Sequence, residues 1–180
     1  MAKSYRRSKG KWIKPSFFVF CEGESEESYI SFIRSTYRVP VQIVSKISGD
    51  RINQKYINNT LKQFVKHEKD KLFLLYDIDT PGMLERLQEV RNSILLASNP
   101  CFELWYILHF CNHTAEITTI DCIRKLERLC KDYKKGVIND RLRGQLMTYT
   151  DNAAERAARC TLYSNPSTTV YFLLNEIKKL

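Results

Sequence analysis

Several features are missing from this chain of 180 residues, and each absence narrows what the protein does. No apolar run approaches the roughly 20 residues that a membrane-crossing helix needs, so no membrane span is expected. The opening stretch MAKSYRRSKGKWIKP is basic but lacks an apolar h-region, and it does not read as a secretory signal. No C-x-x-C pair occurs among Cys21, Cys101, Cys111, Cys122, Cys130 and Cys160. Those cysteines are expected to be reduced and mostly buried in a soluble cytoplasmic protein. No internal repeat and no low-complexity segment is visible. The hydrophobic fraction of 43% is ordinary for a globular protein. The length fits one domain able to bury a substantial core.

Negative charge is also absent from the N-terminus. Lys3, Arg6, Arg7, Lys9, Lys11 and Lys14 precede residue 15 without one acidic neighbour, in a chain of formal charge +9. Two readings fit this stretch: a solvated leader, or an arm that tracks nucleic-acid phosphates. Tyr5 and Trp12 would add stacking on bases in the second reading.

The patterning beyond residue 15 alternates. The apolar run 16–20 predicts a buried strand. Tyr29, Ile30, Phe32, Ile33 and Tyr37 then recur at helical spacing after Ser25, a candidate cap, and Pro40 closes the segment. Residues 41–47 read as a second strand. Asp50 is placed to cap a helix striped by Ile52, Tyr56, Ile57, Leu61, Phe64 and Val65. The runs 71–76 and 93–98 read as strands covered on both faces, with a short helix at 82–90 between them. This β-α-β-α-β-α-β order predicts an α/β fold with a mostly parallel sheet flanked by helices. From residue 99 the pattern predicts helices only, with Asn99 as a cap, Pro100 at the first helical position, and later helices over 138–147, 151–163 and 168–178. The expected organisation is a basic tail (1–15), an α/β core (16–98) and an α-helical C-terminal part (99–180) packed on it.

A basic chain that gathers Glu22, Glu24, Glu26 and Glu27 at one turn needs a reason, because like charges at that spacing repel. A helix N-terminus, solvent screening or a metal ion would each neutralise them. The helix dipole accounts for Glu26 and Glu27 in a first turn, at roughly 0.3–1 kcal/mol each. It does not account for Glu22, which precedes the helix, or for Asp77 and Asp79 after the third strand. In a parallel sheet, the ends of the first and third strands share one edge, where ligands of open α/β sheets bind. Asp77 and Asp79 are two apart, so in extended chain both side chains point the same way. Carboxylates so placed suit Mg²⁺ (or Mn²⁺), which takes few carboxylates and fills its shell with water and phosphate oxygens. An acidic turn at this position argues against phosphate-cradling loops of the P-loop or Rossmann type.

The strand FVFCEG, a helix, and the later strand FLLYDID resemble the Toprim domain of topoisomerases, primases and OLD-type nucleases. The run ILLASNPCFELWYILHF, with YKKG and NPST further on, is similar to the RloB family, found among bacterial restriction and abortive-infection loci. The similarity spans about residues 16 to 178. It implies a Toprim-like fold and a metal-dependent nuclease of anti-phage defence, acting on DNA or RNA, often beside an ATPase. It matches Glu22 to the Toprim glutamate, Asp77 and Asp79 to the aspartate pair, and Glu26 to the second acidic residue of an EGxxE motif. TPGM follows the pair where further acidic residues are common in Toprim proteins, which leaves one or two metals open. The rival reading is a non-catalytic subunit that binds nucleic acid or an ATPase.

The remaining candidates each have two readings. Glu103, in the first turn of the helix after the fourth strand, is a metal ligand or base-positioning group, or simply a dipole-stabilising acid. Lys134 and Lys135 meet phosphate or belong to a solvated loop. His109, Cys111 and His113 lack the fixed spacing of structural zinc sites, and His109 on so apolar a helix reads as a core histidine. Val170, Tyr171, Leu173, Leu174 and Ile177 form a stripe fit for core or for an interface, and a second copy or a partner is expected to restrain such a nuclease.

Overall fold

The computed structural model describes residues 15–37 and 42–180. The six cations of the N-terminal stretch, and Tyr5, Trp12 and Pro40, lie outside them. Strand β1 (Ser16–Cys21) leads to helix α1 (Glu24–Thr36), β2 (Gln42–Ile47), α2 (Gln54–Leu61), β3 (Lys71–Asp77), α3 (Met83–Gln88) and β4 (Ser93–Asn99). Helices α4 (Glu103–Phe110), α5 (Thr119–Leu129) and α6 (Asp140–Ala158), strand β5 (Ser167–Thr168) and α7 (Tyr171–Lys178) follow. The five strands form one sheet in the order β2-β1-β3-β4-β5. The first four are mutually parallel, as their alternation with helices requires, and β5 runs antiparallel to β4.

The strand runs are continuous and apolar because both faces are covered. Phe17, Val19 and Cys21 of β1 face the core shared with α1, α4, α5, α6 and α7. Phe18 and Phe20 face the opposite core, under α2 and α3. This is the period-two alternation of a strand applied to two apolar faces. Phe17 and Phe73 meet across β1 and β3 at 5.2 Å between ring centroids. Trp105, Leu104, Ile107 and Leu108 of α4 are fully buried, which makes α4 the central helix of the larger core. Each such side chain contributes about 1.5–3 kcal/mol of burial.

Four local expectations need correction. Asn99 does not cap α4: it is the last residue of β4, pairs with Ser167, and its side-chain amide donates to Tyr163 O at 3.1 Å. The cap of α2 is Asn53, whose Oδ1 accepts the Tyr56 N–H at 2.8 Å, so that helix starts later than a cap at Asp50 would place it. The helices expected at 138–147 and 151–163 are one helix, α6, bent where Tyr149 leaves helical geometry. The C-terminal part is not helical throughout, since β5 adds to the sheet. Ser98 and Thr168 share a hydroxyl hydrogen bond of 2.9 Å, and Thr169 donates its N–H to Ala97 O at 2.8 Å. The stripe on α7 serves the core: Val170, Leu173, Leu174 and Ile177 are buried.

Candidate metal centre at the sheet edge

Parallel strands end together, and the acidic residues sit at those ends. Glu22 is the first residue after β1 and Asp77 the last of β3. The ladder continues one step past the strands, with Glu22 N–H donating to Leu75 O at 3.0 Å and Ile78 N–H to Ser98 O at 2.9 Å. The Glu22 carboxylate crosses to the neighbouring strand, where Oε2 accepts the Asp77 N–H at 2.9 Å. The Asp77 N–H is thereby satisfied by the site itself.

Glu26 turns back over the start of α1 and accepts the Gly23 N–H at 3.2 Å, one half of a capping box. It is only 4% exposed. Burial pushes its carboxyl up to about 7, against a backbone N–H bond that lowers it; the charges of Glu103 and Glu22 add to the rise, and Lys135 opposes it. Glu103, 2% exposed, opens α4. Its Oε1 accepts the Tyr133 hydroxyl at 2.9 Å and the Ser25 hydroxyl at 3.3 Å. Ser25 in turn accepts the Gly136 N–H at 3.2 Å, and its carbonyl accepts the Tyr106 hydroxyl at 3.4 Å.

Asp77 is the exception among these satisfied groups. The residue is half-buried, but its Oδ1 is sealed from solvent without a hydrogen-bond partner. Burial pushes its carboxyl well above the ordinary range, and the charges of Glu26, Glu22, Glu103 and Asp79 push the same way. A buried, unpaired carboxylate oxygen beside other carboxylates is a position that a cation would relieve.

The structure therefore gathers Glu22, Glu26, Asp77 and Glu103. Asp79 stands apart. It is exposed, and its oxygens accept the Thr119 hydroxyl at 2.8 Å and the Thr80 hydroxyl at 3.4 Å. β3 has ended at Asp77, so the strand's alternation no longer sets the direction of Asp79. It lines an open groove of about 810 Å³ with Thr118, Lys125, Arg128, His113 and Asn165. Among the described residues, no group of three or more His, Cys, Asp or Glu is close enough, as the side chains stand, to hold a metal ion. The donor set itself is all carboxylate, and with the orphaned Asp77 Oδ1 it suits a hard cation such as Mg²⁺ or Mn²⁺.

The other candidates fall as follows. Lys134 and Lys135 are exposed, on the turn between α5 and α6. Among the described residues, His109, Cys111 and His113 do not come together as a group able to hold a metal ion. His109 is buried, its Nδ1–H donates to Trp105 O at 2.8 Å, and burial pushes it down to about 4. His113 accepts from the Lys125 ammonium at 2.9 Å. Tyr133 and Gly136 escaped sequence reasoning, and Ser25, expected as a helix cap, lies inside α1 behind the Gly23 cap and binds Glu103 instead. The available signal was the glycine closing YKKG, since Gly136 takes a φ of +75°, and a Cβ there would meet Glu24 Cβ at 3.2 Å.

No helix among the described residues is long and apolar enough to cross a membrane. Searches of curated proteins and of solved structures return no match to this chain. One family model, described as RloB-like protein, matches residues 17–177, which takes in every described residue of the acidic edge. The chain belongs to the RloB-like protein family.

Proposed function

We propose that this RloB-like protein is a metal-dependent nuclease with a Toprim-like core, hydrolysing phosphodiester bonds of DNA or RNA in bacterial anti-phage defence. The observation that carries this reading is the sealed, unpartnered Asp77 Oδ1 set among Glu22, Glu26 and Glu103 at the carboxyl edge of the parallel sheet. Asp77 and Glu22 would hold Mg²⁺ or Mn²⁺, with Asp79 joining from the rim. A cation bound there supplies Lewis acidity toward a phosphodiester. Glu22 is the group placed to ligand it or to exchange a proton with the attacking water or leaving group. Glu103, locked by Ser25 and Tyr133, holds the start of α4 against α1 behind the site. Lys134, Lys135 and the basic N-terminal stretch are the phosphate-binding candidates. An ATPase or a second copy of the chain restrains the activity in this reading, and the free state of all six cysteines supports a cytoplasmic setting.

The second reading, a non-catalytic subunit that binds nucleic acid or an ATPase, draws on the outward turn of Asp79 to Thr119. Labelled DNA and RNA, incubated with the purified chain with and without Mg²⁺ or Mn²⁺, separate the two. The nuclease reading expects metal-dependent cleavage that disappears in a Glu22→Gln variant still able to fold and bind. Binding without cleavage in the wild type favours the subunit.

A further inference from the structure

The opposite edge of the sheet has a different chemistry. β3 runs from Lys71 to Asp77, so its amino end lies about 20 Å from the metal centre proposed above, at roughly 3.3 Å per residue. Phe18, Leu72 and Asn92, near the amino ends of β1, β3 and β4, line a pocket of about 270 Å³ there. Its floor is apolar, with Ile57, Leu61 and Phe64 joining Phe18 and Leu72. Phe18 and Phe64 meet edge-on at 5.0 Å between ring centroids, which leaves ring faces that the pair does not use. Phe64 is half-buried and Val65 beside it is 68% exposed, so the described residues do not finish covering this surface.

The rim is polar and basic. Gln54 Oε1 accepts the Arg91 N–H at 2.9 Å, and Gln54 Nε2 donates to Asn58 Oδ1 at 3.0 Å, which leaves the Asn58 NH₂ donors for a ligand. Lys66 and Arg91 line the pocket, and among the described residues neither forms an ion pair. Lys71 is engaged on the other face, with Glu176 and over the Phe17 ring. Asp70, the acid of the lining, is held by the backbone: its oxygens accept the Ser16 N–H at 2.6 Å and the His67 N–H at 2.8 Å. The first of these bonds fixes where the basic stretch of the sequence joins the fold, at the rim of this pocket.

We propose that this pocket takes one unstacked base of a single-stranded nucleic acid, with the flanking phosphates on Lys66 and Arg91. Each part of a nucleotide meets its chemistry here. An aromatic floor stacks any base, because every base has a π-face. Side-chain amides in the wall match the donors and acceptors of a base edge. Cations without carboxylate partners meet phosphate without first breaking an ion pair. A pocket of this size holds one base and its sugar, and a duplex keeps its bases stacked and out of reach. A strand seated here and cut at the carboxyl edge spans about 20 Å, or about six stacked nucleotides at 3.4 Å each. The pocket is thus an anchor remote from the chemistry, adding affinity without touching the reacting phosphate. It rests on the nucleic-acid binding proposed above, and not on cleavage.

The test measures binding of the full chain in EDTA, by fluorescence anisotropy, so that cleavage plays no part. The probes are a labelled oligothymidylate of about 15 nucleotides, the same strand with tetrahydrofuran in place of every base, and the oligothymidylate paired with its complement. Phe64→Ala should weaken the oligothymidylate roughly fivefold or more and leave the abasic strand unchanged. Phe64→Leu, which keeps the pocket packed, should show the same selective loss while melting with the wild type. The Lys66→Met/Arg91→Met variant should weaken both strands and lower the salt slope by about 0.7 per lost contact. The duplex should bind the wild type more weakly than the single strand. Strand binding that neither Phe64 variant changes, or that both weaken equally with and without bases, overturns the base pocket alone. A Phe64-dependent dimer in sedimentation, without strand binding, overturns it in favour of a second copy. If the selective loss is seen and no strand is cut with Mn²⁺, the pocket stands and the nuclease reading falls.

Discussion

Replacing Asp77 with asparagine should stabilise the metal-free protein while disabling it. The substitution keeps the shape, removes one negative charge, and sets an NH₂ donor among Glu22, Glu26 and Glu103. Leaving a buried acceptor unsatisfied costs about 1–3 kcal/mol, and more when it is charged. Asp77 Oδ1 is such an acceptor, in a residue that is only half-buried as a whole, so the lower part of that range applies. For a chain of this size, 1 kcal/mol corresponds to about 2–4 °C in melting temperature. Asp77→Asn should therefore melt roughly 2–6 °C above the wild type in EDTA. With millimolar Mn²⁺ the order should narrow or invert, because mass action stabilises only the form that binds the ion. Differential scanning fluorimetry, checked by far-UV circular dichroism, reads both effects. A variant that melts below the wild type in EDTA would refute the reasoning, since it would show that the Asp77 charge is already well compensated. The expected pattern is a stability–activity trade-off at the acidic edge.

Two further outcomes test other parts of the structure. His109 is held neutral, its folded pKa lowered from 6.5 to about 4, so the unfolded chain binds the extra proton between those values. Its contribution is fully present above pH 6.5 and is lost as the pH falls through 4, about 2–3 kcal/mol by pH 4.5. Urea titrations at pH 7 and 4.5 should show a flatter dependence in His109→Gln, and an unchanged slope would exonerate this residue. Deleting residues 2–14 should weaken nucleic-acid binding for all sequences alike and reduce the salt slope by about 0.7–0.9 per lost phosphate contact. An identical salt slope would make the stretch a solvated leader.

The parts of the fold that were legible in the sequence are those where one physical rule dominates. β1, β3 and β4 announce themselves because strands covered on both faces are apolar throughout. β5 could not be read, because Ser167 and Thr168 are two polar residues with no period, buried by pairing with β4 and, at Thr168, by a hydroxyl hydrogen bond that composition does not reveal. The sequence pattern places a break between 147 and 151, whereas α6 runs through it as one helix bent at Tyr149. At the site, Glu22 and Asp77 follow from strand ends alone. The burial of Glu26 and Glu103 does not, because their surroundings are assembled by Ser25, Tyr133 and Gly136 through bonds that span 30 to 111 residues of chain. Asp79 shows the opposite limit. A spacing of two predicts a shared direction only while the strand lasts, and β3 stops at Asp77.

The late arrival of β5 sets a schedule for synthesis. The outer edge of β4 is closed by Thr168 and Thr169, which lie 70 and 72 residues downstream of Ser98 and Ala97. At about 5–20 residues per second, a ribosome needs roughly 4–14 s to make that interval. Throughout it, an apolar parallel strand has one row of backbone groups unpaired, the kind of edge that recruits other chains. The nascent protein must therefore be shielded or restrained by its own α4 during this window, and crowded polysomes are where misassembly of this fold would begin.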